Sequence, residues 1–270
     1  YQIRAIAKKL LPGFLIDWYH FGLAWFAALT YHFPGQKMSR PSGASPTGFP
    51  IKVIAVTGTN GKSTVVEMLS RILEEEGLKV ASLSSIRFKI SGREEVNDKR
   101  MTMPGRSFVQ GFLKRAKDQG CSHVVLEVTS EGIKQHRHEF IDFDAAVFTN
   151  LSPEHIESHG SFEKYSEAKG QLFKATESVH ILNMDDDNID FFLRFPAREK
   201  WGYGLKNISL PGIPHSVWAE GVEVSAIGSS FFINGVKFSL SLLGEFNIAN
   251  ALAAIAAAQS QGISLETCKK

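Results

Sequence analysis

Residues 51–73 read as a buried strand, a glycine-bounded turn and an amphipathic helix in immediate succession, IKVIAVTGTNGKSTVVEMLSRIL. Such a turn lets backbone N–H groups converge on a phosphate, and a lysine placed after it reaches the β- and γ-phosphates of a nucleotide. A serine after that lysine can ligate Mg²⁺. The stretch therefore predicts a P-loop, in its short form, made of Gly58, Thr59, Asn60, Gly61, Lys62, Ser63 and Thr64.

A second apolar run, residues 122–128, has the sequence SHVVLEV and is predicted to be a buried strand that ends in an acid. The carboxyl ends of parallel strands meet at one edge of a sheet, beside the P-loop. Glu127 is therefore placed to hold Mg²⁺ or one of its waters, and the plainer alternative is a salt-bridged strand end.

The rest of the pattern alternates strands with helices and predicts the fold class. Strands are expected at 79–84 and 178–182, helices at 62–76 and 107–119, and a hairpin at 86–98. Residues 220–243 alternate around an Asn-Gly turn and predict an antiparallel hairpin or meander, and an Ala-rich helix follows Gly244. We expect an α/β fold with a doubly wound, mostly parallel sheet flanked by helices, and a small antiparallel sheet beside it.

Composition limits the possible partners and environment. The chain has 270 residues, 43% of them hydrophobic, which suits one large domain with an appendage. A net charge of +2 without a long basic run argues against nucleic acid as a partner. Cys121 and Cys268 lie too far apart to suggest a disulfide framework or a metal knuckle, and a reducing cytoplasm is the simpler assumption.

The N-terminal segment 13–33, GFLIDWYHFGLAWFAALTYHF, is long enough for a bilayer, for which roughly 20 apolar residues suffice. Asp17 and His20 would be costly against lipid, and a single span with Lys8 and Lys9 inside would put an ATP-dependent domain outside. We expect an in-plane or re-entrant helix, or one half of a hairpin, at the inner face of a membrane. A helix docked on protein is the alternative.

The resemblance to a known family becomes specific after the P-loop. Residues 127–130, EVTS, are followed by Gln135 and Arg137 and then by DAAVFTNLSPEHIESHGSFEKYSEAKGQLF. With GTNGKS, these motifs resemble the central ATP-binding domain of the Mur ligases over about residues 51–262, and within that family the tripeptide-forming branch. The resemblance implies ATP and two Mg²⁺ ions as cofactors.

In the family, the residue matching His155 binds the second Mg²⁺, and the residue matching Lys169 is carbamylated and supplies a carboxylate to the metal. The resemblance thus implies Lys62, His155 and Lys169 as catalytic residues and Ser63, Glu127, His155 and Lys169 as the metal set. Taken alone, His155 would be an ordinary loop histidine and Lys169 a solvated helix residue.

The resemblance also implies ligand contacts. Thr102, Thr129, Gln135 and Arg137 match positions that hold the UDP-MurNAc-peptide, and Asn247 and Asn250 match an element whose second Asn lies near the adenine. The residues alone suggest a turn at 102–104, a helix cap at Asn247 and a packing role for Asn250. Likewise, the acidic turn at 183–187 is either a solvent-facing helix cap or a structural element of the family. Met103, Thr129 and Glu154 depart from the family pattern, which weakens substrate identity more than ATP use.

The resulting expectation is an ATP-dependent ligase of peptidoglycan precursor synthesis that joins an amino acid to a UDP-MurNAc-peptide through an acyl phosphate. The organisation expected is an apolar segment at 1–35, a linker at 36–50 and the ATP-binding domain at 51–270, with a C-terminal domain missing, so that these residues alone bind nucleotide without ligating. The alternatives are a folylpolyglutamate-type ligase and a non-catalytic, membrane-tethered nucleotide-binding module.

Overall fold

The computed structural model describes residues 12–36, 51–99, 101–153, 160–208 and 210–270. The predicted linker at 36–50 therefore lies, apart from Gln36, outside the described residues, and so does His155. The strands are β1 (Lys52–Thr57), β2 (Val80–Leu83), β3 (Arg87–Ile90), β4 (Arg93–Val96), β5 (His123–Glu127), β6 (Ala145–Phe148), β7 (Val179–Asn183), β8 (Glu199–Gly204), β9 (His215–Trp218), β10 (Glu220–Ser225), β11 (Gly228–Ile233) and β12 (Val236–Leu240). The helices are α1 (Gly13–Thr30), α2 (Lys62–Glu75), α3 (Arg106–Asp118), α4 (Ser130–Lys134), α5 (Phe162–Ala175), α6 (Ile189–Leu193), α7 (Glu245–Ser260) and α8 (Leu265–Lys269).

The larger sheet has the strand order β4-β3-β2-β5-β1-β6-β7-β8-β9. Neighbours from β2 to β9 pair in parallel, and the hairpin of β3 and β4 adds an antiparallel edge. The chain leaves β1 toward β2 and β5, and then crosses to β6 on the other side of β1. This reversal confirms the doubly wound fold, and it creates a crevice at the carboxyl ends of β1, β5 and β6, where such folds bind ligands.

Helices cover both faces of this sheet because the central strands are apolar on both sides. In β1, Ile54 and Val56 pack into a core that contains α2 and α7, while Val53 and Ala55 pack into the opposite core. That opposite core contains side chains of α3, α5 and α6. A strand buried on both faces is expected of a parallel sheet. Packing on both faces of β1 fixes the position of the P-loop that follows it.

The smaller sheet is the predicted antiparallel meander of β10, β11 and β12. Asn234 and Gly235, between β11 and β12, have φ values of 48° and 78°, as a two-residue hairpin turn requires. Phe231 and Phe238 stack with ring centroids 5.4 Å apart and join the core that contains α7.

Helix α1 packs on α3 with its small side chains, and most of its large apolar side chains are exposed. Ala24, Ala27 and Ala28 are buried. Besides the polar Asp17 and Thr30, its exposed side chains are large and apolar: Phe14, Leu15, Trp18, Tyr19, Phe21, Leu23, Trp25, Phe26 and Leu29. One of them, Phe21, contacts the Phe140 ring. Within the described ranges, no helix combines the length and the apolar character that a bilayer crossing requires. Helix α1 is docked on α3 along the side that carries Ala24, Ala27 and Ala28.

Candidate active site

The P-loop lies where the sequence predicts it, between β1 and α2. Gly58 and Gly61 have φ values of 153° and 83°, which favour glycine, and α2 begins at Lys62. A Cβ atom at Gly58 would lie 1.8 Å from the Thr149 Oγ1, and one at Gly61 would lie 2.1 Å from the Asn250 Oδ1. The two glycines therefore serve both the turn and the close approach of neighbouring segments.

The segment after β6 supports the loop, and this was not predicted from the sequence. The Thr59 N–H donates to the Asn150 carbonyl oxygen over 2.8 Å, and the Asn60 N–H donates to the Asn150 Oδ1 over 2.8 Å. The Thr149 hydroxyl donates to the Asn60 carbonyl oxygen over 2.7 Å. These bonds leave the P-loop little freedom, and they depend on β6 lying next to β1, which the order of the strands along the chain does not show.

The acidic turn after β7 holds that same segment in place. The Asp186 Oδ2 accepts a hydrogen bond from the Leu151 N–H over 2.8 Å, and the Asn183 side chain donates to the Thr149 carbonyl oxygen over 2.6 Å. The Asp185 Oδ2 accepts from the Leu205 N–H over 2.5 Å. The turn is therefore structural, and the solvent-facing helix cap considered from the sequence is wrong, because these carboxylates are occupied by backbone N–H groups.

Ser63 and Glu127 form the predicted pair of metal candidates. The Ser63 Oγ donates to the Glu127 Oε2 over 2.8 Å, and the Ser85 N–H donates to the same oxygen over 2.8 Å. Ser85 follows β2, and its hydroxyl lies 2.7 Å from the Ser63 Oγ. The metal candidates therefore have one more hydroxyl beside them than the sequence predicted. Across the described ranges, no group of three or more His, Cys, Asp or Glu side chains could hold a metal.

Lys169 is a buried residue of α5 rather than a solvated one. It is 1% exposed, its Nζ donates to the Gly58 carbonyl oxygen over 2.7 Å, and it lies 4.6 Å from the centre of the Tyr165 ring. The Tyr165 hydroxyl in turn lies 3.0 Å from the Thr59 Oγ1. Helix α5 thus reaches the P-loop through two residues four positions apart, of which only Lys169 was expected.

Thr102, Thr129 and Arg137 lie on the same cavity as the P-loop. The cavity has a volume of about 380 Å³. Its lining residues include Gly58, Thr59, Lys62, Thr102, Met103, Thr129, Ser130, Glu131, Arg137, Tyr165 and Lys169. The Thr129 hydroxyl also caps α4 by accepting from the Gly132 N–H over 3.0 Å.

Arg137 is fixed by its neighbours. Its guanidinium donates to the Met103 carbonyl oxygen, and to the Gln135 Oε1 over 2.7 Å, so Gln135 orients Arg137 although it does not line the cavity. Burial lowers the pKa of Arg137, and burial followed by the charge of Arg137 lowers the pKa of Arg106, which was not predicted as a site residue. Neither guanidinium forms an ion pair with a carboxylate in the described part of the chain. The Glu131 carboxylate partly offsets the charge of Arg137, and burial still outweighs it, so an anionic ligand is favoured beside these guanidinium groups.

The start of α7 differs from the prediction in one detail. The N-cap is Gly244, so Asn247 lies in the first turn, where its side chain donates to the Leu243 carbonyl oxygen over 2.9 Å, and its interpretation as a cap is wrong. Asn250 is 7% exposed and lies over the P-loop at Gly61. The positive φ of 90° at Gly244 starts the helix earlier than the polar residues suggested.

Comparison with known proteins agrees with this geometry. Residues 56–258 match the family described as the Mur ligase middle domain. A UDP-N-acetylmuramoyl-L-alanyl-D-glutamate–2,6-diaminopimelate ligase of Halalkalibacterium halodurans is 31% identical over 229 residues, which cover 82% of this chain and 46% of the relative. A UDP-N-acetylmuramyl-tripeptide synthetase of Roseiflexus sp. is 30% identical over 266 residues, 91% of this chain and 48% of the relative.

A solved structure of a UDP-N-acetylmuramoyl-L-alanyl-D-glutamate–2,6-diaminopimelate ligase superposes with a TM-score of 0.70 at 27% identity, over 82% of this chain and 45% of that one. The chain thus spans about half the length of the relatives it matches. The match over residues 56–258 includes the P-loop, Glu127, Arg137 and Lys169. The chain therefore belongs to the Mur ligase family, whose members are ATP-dependent ligases that form carbon–nitrogen bonds.

Proposed function

We propose that the chain is the ATP-binding core of a ligase that joins an amino acid to the carboxylate of a UDP-MurNAc-peptide in peptidoglycan precursor synthesis. The observation that carries the proposal is the shared cavity, which is lined by Lys62 of the P-loop and by Thr102 and Arg137. A phosphate donor and an anionic acceptor can meet there. The names of the tripeptide synthetase and the diaminopimelate ligase among its relatives support this substrate class.

The proposed reaction has two steps. A carboxylate oxygen of the acceptor attacks the γ-phosphorus of ATP, the bond to the β-phosphate oxygen breaks, and ADP and an acyl phosphate form. The amine of the amino acid then attacks the acyl carbon, phosphate leaves, and the amine loses a proton. Lys62 and the P-loop N–H groups offset charge on the transferred phosphoryl group, while Thr102, Thr129 and Arg137 orient the acceptor. In this proposal Asn247 and Asn250 contact the nucleotide base.

Mg²⁺ fits the Ser63 and Glu127 pair, because a hydroxyl and a carboxylate 2.8 Å apart are the hard oxygen donors that this ion prefers. When bound, Mg²⁺ offsets the charge of the nucleotide phosphates. Glu127 is 2% exposed and the Ser85 N–H orients its carboxylate beside the first turn of α2. We propose a second ion held with the help of His155 and Lys169.

Carbamylation of Lys169 belongs to this proposal. The neutral Nζ adds to carbon dioxide, a nitrogen–carbon bond forms, and a proton is released. The product is an anion with two oxygens in place of a cation. Because Lys169 is 1% exposed and lies beside the P-loop at Gly58, a carbamate there would be shielded from solvent and aimed at the phosphate region.

Contact of α1 with the inner face of a membrane is also part of the proposal. Exposed Phe14, Trp18 and Phe26, at 63%, 74% and 63%, give the helix an outward apolar surface. The flanking segments 1–12 and 36–50 contain Arg4, Lys8, Lys9, Lys37 and Arg40 and no acidic residue. An apolar helix with basic flanks is the pattern of in-plane binding to an anionic lipid surface.

The test is a ligation assay on the full-length protein with ATP, Mg²⁺, UDP-MurNAc-dipeptide and a panel of amino acids. We expect phosphate release that depends on both the muropeptide and one class of amino acid, and a product with one new amide bond. Residues 1–270 alone should bind ATP with little turnover, because in this proposal a C-terminal domain positions the amine, and positioning supplies roughly 7 to 11 kcal/mol of a barrier. Turnover with a folate acceptor instead would assign the folylpolyglutamate-type reaction. Full-length protein that binds ATP and ligates nothing would favour a non-catalytic module.

A further inference from the structure

The loop between α4 and β6, residues 135–144, contains two backbone conformations that its side chains disfavour. His136 and Phe140 have φ values of 55° and 62°, in the left-handed region that glycine adopts easily. Arg137, which lines the active-site cavity, follows the first of them directly. Residues in such conformations persist only where the surrounding structure holds them there. At His136 part of that support is local: it is the left-handed residue that ends α4, where the His136 N–H donates to the Ile133 carbonyl oxygen over 2.8 Å and the Arg137 N–H to the Gly132 carbonyl oxygen over 2.9 Å.

The side chains of both residues contact α1, which adds to the backbone hydrogen bonds at the end of α4. The His136 Nε2 lies 2.7 Å from the Asp17 Oδ1, and its Nδ1 lies 3.3 Å from the Glu139 Oε1, so the imidazole is fixed between two carboxylates. The Phe140 ring lies 5.4 Å from that of Phe21, measured between centroids. It also lies 5.9 Å from the ring of Phe33, just after α1.

The same face of α1 also contacts the start of α3, which follows the segment that carries Thr102. His20 contacts the guanidinium of Arg106, which begins α3 shortly after Thr102 and Met103. The Met103 carbonyl oxygen accepts the hydrogen bond from Arg137. Asp17, His20 and Phe21 are spaced as one face of a helix, and this face contacts both segments from which Arg137 and Thr102 reach the cavity.

We propose that Asp17 and Phe21 are positioning residues for the acceptor: α1 holds residues 136–140 in the conformation that aims Arg137 into the cavity. The inference rests on the proposed function for the identity of the acceptor, and it adds a role for α1 inside the active site. Helix α1 then affects acceptor binding and does not affect ATP binding, because the P-loop is supported separately by Thr149 and Asn150.

The first test compares Michaelis constants in the full-length protein without lipid. Asp17→Asn and Phe21→Ala should each raise the KM for the muropeptide by about 5-fold or more, with the KM for ATP unchanged. Leu23→Gln, on the same helix and 39% exposed, is the matched control and should change neither constant. An equal rise in both constants, or none in either, would overturn the proposal.

The second test uses the tolerance of Asn for left-handed backbone. His136→Asn keeps the loop conformation without the contact to Asp17, so Asp17→Asn should have no further effect in that variant.

Hydrogen exchange provides a readout that needs no activity, since the amides of residues 136–140 should exchange faster in Asp17→Asn than in Leu23→Gln. Equal exchange rates in the two variants would contradict the positioning role of Asp17. If the unmodified protein binds neither ATP nor the muropeptide, the proposed function itself is overturned.

Discussion

The Oγ of Ser63 lies 2.8 Å from the Oε2 of Glu127, so the first turn of α2 is joined to the last residue of β5. The parallel register of β1 and β5, which pairs Val56 with Glu127, brings the two side chains to one edge of the sheet. Two oxygen donors are thereby placed beside the P-loop before any ligand arrives.

Glu127→Gln should weaken ATP binding in the presence of Mg²⁺ by about 10-fold or more, because an amide is a poorer ligand for a hard cation than a carboxylate. In EDTA the affinity for ATP should not fall, since the variant removes a negative charge near the phosphates. Calorimetric titration under both conditions measures the difference, with Glu95→Gln as the control on an exposed strand. An equal loss with and without Mg²⁺ would remove the metal assignment.

Lys62→Ala should abolish measurable binding of ATP-Mg²⁺ in calorimetry and leave the thermal melt nearly unchanged. The Lys62 Nζ bonds the Thr59 carbonyl oxygen over 2.7 Å at the cavity edge, so its removal leaves no void in the core. Lys79→Ala is a suitable control because Lys79 lies before β2, outside the P-loop. Undiminished affinity of Lys62→Ala would contradict the P-loop assignment.

Lys169 should carry a carbamate in protein kept in bicarbonate. After labelling with ¹³C-bicarbonate, a carbamate resonance should appear in the unmodified protein and be absent from Lys169→Arg, because a guanidinium does not form this adduct. Turnover should fall when carbon dioxide is removed and recover when it is restored. A spectrum without the resonance, in active protein, would show that the ammonium form is the working one.

Vesicles of anionic lipid should bind the protein through α1. Replacing Phe14, Trp18 and Phe26 together by Ser should abolish flotation with the vesicles, because it removes most of the outward apolar surface of the helix. Ile227→Ser changes an 89% exposed apolar side chain away from α1 and should float like the unmodified protein. Equal flotation of the triple variant would leave α1 as a helix docked on protein alone.

The free energy of unfolding should fall as the pH is lowered from 6.5 to 4. Burial lowers the pKa of His123 to about 4, so between these pH values the unfolded chain binds a proton that the folded chain does not. The loss from this residue amounts to at most about 3 kcal/mol and is complete below pH 4. His123→Val should reduce the slope of that part of the curve in urea titrations at several pH values, while His138 and His180, whose pKa values burial also lowers, keep contributing. An unchanged pH dependence would show that His123 stays accessible to protons.

The P-loop and the fold class were predictable because they depend on local patterns and on the order of strands and helices. The contributions of Ser85 and Asn150 were not, since they follow from which strands become neighbours, and the order β2-β5-β1-β6 does not follow the chain. Arg137 was identified by resemblance, while its contacts with Gln135 and Met103 depend on a loop whose backbone enters the left-handed region. That conformation at His136 belongs to the end of α4, a five-residue helix that was not predicted from the sequence.

Helix α1 is under two separate kinds of evolutionary constraint because of how it packs. On the side toward α3, volume decides: Ala24, Ala27 and Ala28 are buried, and any larger side chain would lift the helix from its seat. On the outward side, the proposed contact with a membrane requires only hydropathy, so Phe, Leu, Trp and Ile should be able to replace one another there. Sequence drift should therefore be wide but chemically uniform outside and almost frozen inside, the reverse of a helix that packs its large residues into a core.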